Sequence, residues 1–502
     1  MSYINVNEAI ENLKSLQQKL SALSHASGII FHDASTVAPS DSSQGRGVTL
    51  GVLSAMEYEL ISAPENPKLF EYLDAHKDEL DEQSAAELRA LKKSYATLSR
   101  IPMDEYVEFS VLLNDAQDIW KNAKQNNDFA SFAPTLEKII EFNKRFAGYY
   151  NKDMKPYDAL LNEFEEGMTT KVLDEFFGNL RAAIVPLIEK TQKCKEIDDS
   201  FLKKYYPIDK QREFSDYLME TLQIDRTHCG IAETEHPYTT NFNNKDVRIT
   251  THYYENDVAS SMYSVIHEGG HAIYELGADD KYNYTALAGG VSMGIHESQS
   301  RFFENIIGRS KEYIDLIFPK MKELFATQLD GVDADAFYRA VNKATPSLIR
   351  TEADELTYAL HIMVRYEIEK LLIAGELDVN EIPAKWNALY KEYLGVDVPN
   401  DTLGCLQDSH WSGGSFGYFP SYALGSAYGA QMLAVMEKQI GKLSDLIRNG
   451  EMGKIKEWLR VNVHAHASSK KPGEIFENAC GKFDPSYFTD YLCDKFSKLY
   501  NI

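Results

Sequence analysis

Apolar residues recur three and four positions apart along most of this chain, in long segments bounded by capping residues. The segments run at about 5–24, 45–62, 82–98, 104–126, 133–151, 170–193 and 208–224, and again at 292–307, 310–328, 352–374, 379–394, 420–440, 451–461 and 484–499. That spacing is the helical period, so a mainly α protein is expected. The departure is Thr239 to Tyr254, where Thr-Thr-Asn-Phe, a turn at Asn243-Asn244 and Val-Arg-Ile-Thr-Thr-His-Tyr-Tyr read as a β-hairpin. The hairpin leads directly into 260–276, which returns to helical spacing.

Nothing in the 502 residues separates domains: there is no Pro/Gly/Ser-rich linker, low-complexity tract or fixed repeat. A single domain over 1–502 is expected, with two lobes about a groove as its natural subdivision. Apolar residues make up 44% of the chain and aromatics 12%, ample for a core of that size. The formal charge of −24 disfavours phosphate backbones and anionic membrane surfaces as partners, because both attract basic patches. Cys194, Cys229, Cys405, Cys480 and Cys493 are scattered without C-x-x-C spacing, which indicates reduced thiols. Residues 1–20 mix polar and apolar positions unlike a signal peptide, and no run of about 18 apolar residues occurs, so a cytoplasmic location is the expectation.

The chemistry is concentrated in His267-Glu268-Gly269-Gly270-His271. At about 100° per residue, positions i and i+4 share one helix edge and i+1 lies beside them. Two imidazoles can therefore grip a zinc ion while Glu268 stays unliganded to take a proton from water. Two satisfied core histidines would give the same spacing. Adjacent glycines in mid-helix, however, cost about 1 kcal/mol each relative to alanine, which a purely structural helix has little reason to accept. Close approach of another backbone or of substrate would supply one.

A third protein ligand is required. After Gly289-Gly290 a new helix begins near Ser292 and carries His296-Glu297-Ser298-Gln299. Glu297 is the favoured ligand, completing a common His₂Glu catalytic set, and the neighbouring His296 is the alternative. A strand edge beside such a site could hold an extended peptide by backbone hydrogen bonds, so peptide is the favoured substrate.

An ordered series of motifs carries a resemblance: His236-Pro-Tyr238, Asp246-Val-Arg248-Ile-Thr250, His267-Glu-Gly-Gly-His271, His296-Glu-Ser-Gln299, Ile349-Arg350-Thr-Glu-Ala-Asp354 and Gly404-Cys-Leu-Gln407-Asp408-Ser-His410-Trp411. In these residues, and in 157–168 and 414–425, the chain resembles the carboxypeptidase Taq family, metallocarboxypeptidases of the zincin group. Two departures stand out. Tyr238 occupies a place where that family usually has Phe, and Phe31-His32-Asp33-Ala-Ser-Thr36-Val-Ala-Pro39 replaces a Trp-Asp-Gln-Glu-Thr-x-Met-Pro-like segment.

The resemblance implies a large helical zincin-type fold with a deep groove, a homodimer, and a peptide hydrolase of broad specificity. It implies zinc on His267, His271 and Glu297, with cobalt able to substitute because affinity order alone does not select the metal. Glu268 would be the general base of direct hydrolysis. For stabilising the oxyanion Tyr422 is the first choice, followed by His410 and His236, with Tyr418 as a rival to Tyr422. A strict carboxypeptidase must also bind a terminal carboxylate, for which a guanidinium offers a two-point fork. Arg350, beside Gln407 and Asp408, is favoured; Arg248 is the alternative unless Asp246 claims it. Glu304 and Asp354 are candidates for orienting a ligand from behind, whereas His464 and His466 lack a third ligand nearby. A related oligo-endopeptidase and a catalytically silent helical binding protein are the competing readings.

Overall fold

The computed structural model describes residues 5–502. The first half is helical: α1 (Val6–Thr36), α2 (Ser43–Ile61), α3 (Asn66–Ala75), α4 (Glu82–Arg100), α5 (Met103–Asn126), α6 (Phe129–Tyr150), α7 (Pro156–Phe164), α8 (Thr170–Thr191) and α9 (Ile208–Thr221). Three strands follow, β1 (Cys229–Glu233), β2 (Thr239–Asn243) and β3 (Asp246–Thr251). The chain then returns to helix in α10 (Val258–Leu276), α11 (Met293–Arg301), α12 (Lys311–Leu324), α13 (Ala334–Val341), α14 (Tyr358–Ala374) and α15 (Ile382–Leu394). It finishes with α16 (Pro420–Ile440), α17 (Leu443–Arg448), α18 (Met452–Asn462), α19 (Pro472–Cys480) and α20 (Ser486–Tyr500). The mainly α expectation therefore holds, with one small sheet beside the helix that carries His267.

The hairpin lies where its alternation placed it, β2 antiparallel to β3 through the turn at Asn244-Lys245. A strand that the periodicity did not reveal, β1, pairs parallel with β3, giving the order β1-β3-β2. The strand that enters α10, β3, is therefore covered on both sides, and the edges of the sheet are β1 and β2.

The principal apolar core extends from Ala116 to Leu499 and encloses α10, whose residues Val258, Met262, Val265, Ile266, Ala272 and Ile273 are all buried. A helix buried on most of its circumference belongs to the interior. A separate, smaller cluster joins α1, α3 and α4 through Leu13, Leu16, Leu69, Leu73, Leu88 and Leu91. The outer half of α1 leans on β2 instead, with Gly28 against the ring of Phe242 and Phe31 edge-on to Tyr238 at 5.5 Å.

α11 is wedged between α10 and α16. A Cβ at Gly270 would stand 2.6 Å from the carbonyl oxygen of Gln299, and one at Gly425 would stand 2.7 Å from the Cβ of Glu297. Close approach of backbones is therefore the reason for glycine at 270, and α11 is clamped at the residue that faces the histidines. At its start, Ser292 Oγ accepts from the Ile295 amide (3.2 Å) and the buried Glu165 carboxylate accepts from the Gly294 amide (3.0 Å). At its end the chain loosens into a π-helix, Phe302–Gly308. His464, in a short turn, hydrogen-bonds Gln299 Oε1 at 2.8 Å, an ordinary buried contact. All five cysteines are free, and no helix among the described residues is long and apolar enough to cross a membrane.

Candidate metal centre and cleft

α10 presents His267 and His271 along one edge, and α11 brings Glu297 against them. Glu297 Oε2 lies 3.8 Å from His267 Nε2 and 3.6 Å from His271 Nε2. One ligand atom from each residue falls within a 4.8 Å span. Donors bound at about 2.0–2.1 Å to a single tetrahedral ion stand about 3.4 Å apart, so both oxygen–nitrogen separations are within a few tenths of an ångström of what a divalent cation requires. His296 turns away from this point: its Nδ1 is 2.6 Å from His271 Nδ1 and its Nε2 is 2.7 Å from Glu275 Oε1.

The ligands' remaining polar atoms are held from behind. His267 Nδ1 contacts Glu304 Oε2 at 2.8 Å. Burial alone would raise the Glu304 carboxyl, but Arg301, His267 and Arg309 hold it well below the usual carboxylate range. Burial disfavours the charged ring of His267 as well, yet Glu297 and Glu304 outweigh it and raise its pKa. For His271, burial and the neighbouring cationic groups act together to push the pKa well down, which favours the neutral imidazole that binds metals. Glu275, which steadies His296, is itself fixed by the Asn241 side chain (2.7 Å) and the Gly290 amide (3.0 Å).

Glu268 is buried, and its Oε2 accepts from Thr239 Oγ1 of β2 at 2.6 Å. Burial raises its pKa. A carboxylate shifted in this direction is better matched to accept and return a proton near neutrality. Asp354, a candidate for orienting a ligand, instead accepts from the amides of Thr345, Leu356 and Thr357 and from the Thr357 hydroxyl. It organises the entry to α14.

Arg350, Gln407 and Asp408 are brought together. Arg350 Nε and Nη2 donate to Asp408 Oδ1 at 3.0 and 2.8 Å, and its amide donates to Gln407 Oε1 at 2.9 Å. Arg365, which sequence reasoning did not single out, donates to Asp408 Oδ2 (2.7 Å) and Gln407 Oε1 (2.7 Å). Two buried guanidiniums thus share one carboxylate. Arg248 differs, because Nε and Nη2 close a complete fork on Asp246 at 2.9 and 2.8 Å.

Tyr422 and His410 meet beside Arg350. The His410 Nε2 to Tyr422 hydroxyl distance is 3.2 Å, and the Arg350 guanidinium lies 5.0 Å over the Tyr422 ring. Burial pushes the His410 pKa down to about 4, leaving a neutral ring, and its buried Nδ1 has no hydrogen-bond partner. Tyr418 packs 5.2 Å from Tyr422. His236 is exposed on the loop between β1 and β2 and has no hydrogen bond to either His410 or Tyr422.

The sequence profile of the carboxypeptidase Taq (M32) metallopeptidase family matches residues 12–496. The chain belongs to that family. It is 42% identical over 487 residues to Carboxypeptidase 1 of Bacillus subtilis, covering 97% of both chains. It is 34% identical over 505 residues to Thermostable carboxypeptidase 1 of Pyrococcus furiosus, covering 99% of this chain and 100% of that one. Among solved structures, M32 carboxypeptidase from Deinococcus radiodurans R1 superposes with a TM-score of 0.95 at 33% identity, covering 98% of this chain and 100% of that one. This M32 chain is therefore a metallocarboxypeptidase, a peptide hydrolase that takes a divalent metal.

Several residues around the site had gone unnoticed: Thr239, Glu275, Arg301, Arg309, Tyr358 and Arg365. For two of them a signal existed. Glu275 extends the 267/271 stripe by four more residues, and Arg301 stands four past Glu297. The others meet the site only through tertiary packing.

Proposed function

We propose that the chain is a zinc-dependent carboxypeptidase, one catalytic domain throughout, that removes C-terminal residues from peptides in the cytoplasm as a homodimer. The convergence of His267, His271 and Glu297 with Glu268 one residue away is the observation that carries this reading. Zinc bound there supplies Lewis acidity and brings the pKa of coordinated water to about 7, and cobalt serves the same purpose.

Glu268 takes a proton from the attacking water and returns it to the leaving amine, so no acyl-enzyme forms. Its hydrogen bond from Thr239 leaves one carboxylate oxygen for this exchange. Tyr422 donates its hydroxyl to the developing oxyanion, with His410 orienting that hydroxyl. Tyr418, packed against Tyr422, and His236 are the alternative donors to that oxyanion. The free edge of β2 pairs with the substrate backbone upstream of the scissile bond.

Arg350 receives the terminal carboxylate, with Gln407 and Asp408 fixing its plane. The surplus of one positive charge among Arg350, Arg365 and Asp408 supports this assignment, whereas Arg248 is already neutralised by Asp246. The deciding experiment is a product time course on paired peptides with free and amidated C-termini, after chelation and reloading with zinc or cobalt. Sequential loss of single residues from the free ends alone is expected. Internal cleavage of the amidated peptides would instead indicate an endopeptidase.

A further inference from the structure

The two oxygens of Glu297 have different partners. Oε2 faces the histidine nitrogens and also receives the Ser300 hydroxyl at 3.3 Å, whereas Oε1 accepts from Arg301 Nε at 2.7 Å. The same guanidinium reaches Glu304 Oε2 through Nη1 at 3.2 Å, and that oxygen holds His267 Nδ1. Arg309 occupies the other oxygen of Glu304 at 3.3 Å. Arg301 is largely buried, and its guanidinium lies 4.2 Å over the ring of Tyr358.

This geometry constrains how Glu297 can bind. A carboxylate facing a cation can offer one oxygen or both. A buried, permanently charged guanidinium stacked on an aromatic face cannot give up Oε1 without leaving its own charge poorly paired, and desolvated charges are costly to strand. A lysine in that place would supply charge without the planar fork that reaches two carboxylates at once.

We propose that Arg301 is a positioning residue that reserves Oε1 of Glu297 and so makes Glu297 a one-oxygen ligand. It also couples the orientation of Glu297 to that of His267 through Glu304. The consequence is that Glu297 would occupy one position on a bound cation instead of two, leaving more of the ion's surroundings to water and substrate. This rests on the metal-centre reading given above.

The test uses the full-length protein reconstituted with Co²⁺, whose visible absorption weakens as coordination number rises. Arg301→Lys and Arg301→Met are compared with wild type by cobalt absorption, by zinc affinity in competition with a chromophoric chelator, and by kcat and KM measured separately. Both variants are expected to show weaker, shifted cobalt bands and a 10–100-fold loss in zinc affinity or kcat, with KM nearly unchanged. Thermal melting of the metal-free proteins checks folding. Should the methionine variant fail to fold, the lysine variant decides alone, since it keeps the charge.

Wild-type cobalt bands, affinity and kcat in a folded Arg301→Lys protein would overturn the proposal. His271→Ala distinguishes this from failure of the underlying reading. If that variant keeps the wild-type cobalt spectrum, the metal centre itself is misplaced; if it loses the spectrum while Arg301→Lys does not, only the role of Arg301 falls.

Discussion

On one side of Tyr358 two carboxylates, Glu297 and Glu304, meet two guanidiniums, Arg301 and Arg309. On the other, two guanidiniums, Arg350 and Arg365, share the single carboxylate of Asp408. The first arrangement is balanced in itself and stands beside the imidazoles of His267 and His271. The second holds an unmatched positive charge beside Tyr422, in surroundings where water screens little. Buried ion clusters of similar composition can thus differ in kind: one is closed on itself, and the other carries a net positive charge.

The sharpest separation of the two sides comes from Glu268→Gln and Arg350→Ala. Losing the general base should reduce kcat by about 10²–10⁴-fold with metal content unchanged by elemental analysis. A variant keeping more than a tenth of wild-type kcat would remove Glu268 from the chemistry. Arg350→Ala should reduce kcat/KM by about 10²-fold on peptides with free C-termini and abolish their advantage over amidated ones, as expected for a lost charge-assisted fork. Arg248→Ala should change that advantage severalfold at most. If the two arginines exchange these effects, charge surplus does not mark the clamp.

Stability against pH probes the same contrast. On the Arg350 side, the buried Glu369 accepts from Tyr157, Trp411 and the Gly417 amide, and burial pushes its pKa up to about 7. A carboxyl raised on folding loses stability as pH climbs from its ordinary value of about 4.3 to about 7, here by about 3 kcal/mol. Wild type should therefore lose more melting temperature between pH 5 and 8 than Glu369→Gln does. Glu304 is held low, so its contribution is present above the ordinary carboxylate pKa and disappears only on acidification. The melting difference between wild type and Glu304→Gln should then be nearly constant from pH 5 to 8. Parallel slopes for Glu369→Gln and wild type would contradict the first expectation.

The smallest effect belongs to Tyr238→Phe, whose hydroxyl faces His32 and neither ion cluster. Tyr238 and the segment at 31–39, the two departures from the family pattern, touch: the Tyr238 hydroxyl lies 2.9 Å from His32 Nδ1. Removing the hydroxyl should cost about 0.5–1.5 kcal/mol locally and speed hydrogen exchange at the end of α1, with kcat/KM within twofold of wild type. A larger kinetic effect would tie this contact to the groove.

Much of the fold was legible because long amphipathic helices announce themselves; α8 lies where 170–193 predicted it. Short helices such as α7 and α19 open on proline and have too few turns to establish a period. β1, only five residues with a glycine at its second position, carries little strand signal and exists by pairing with β3. α1 continues to Thr36, well beyond 24, where weak amphipathicity is supplemented by contact with Phe242. Helix was expected from 352, but α14 starts at Tyr358 because Asp354 ties up the preceding amides. In the site, the spacing of 267, 271 and 297 was readable from local geometry. The Arg365–Asp408 pair was not, since it joins elements 43 residues apart.

The widened turn at Phe302–Gly308 leaves the carbonyl of Asn305 to Lys495 Nζ (3.2 Å), whose ammonium is in turn buried against Glu355. The last helix of the chain is therefore a brace for the stretch that carries Glu304, the partner of His267. Trimming the C-terminus before Ser486 would leave every candidate site residue in the polypeptide yet remove the ammonium that holds the Asn305 carbonyl, so the last helix reaches His267 only through the backbone that carries Glu304.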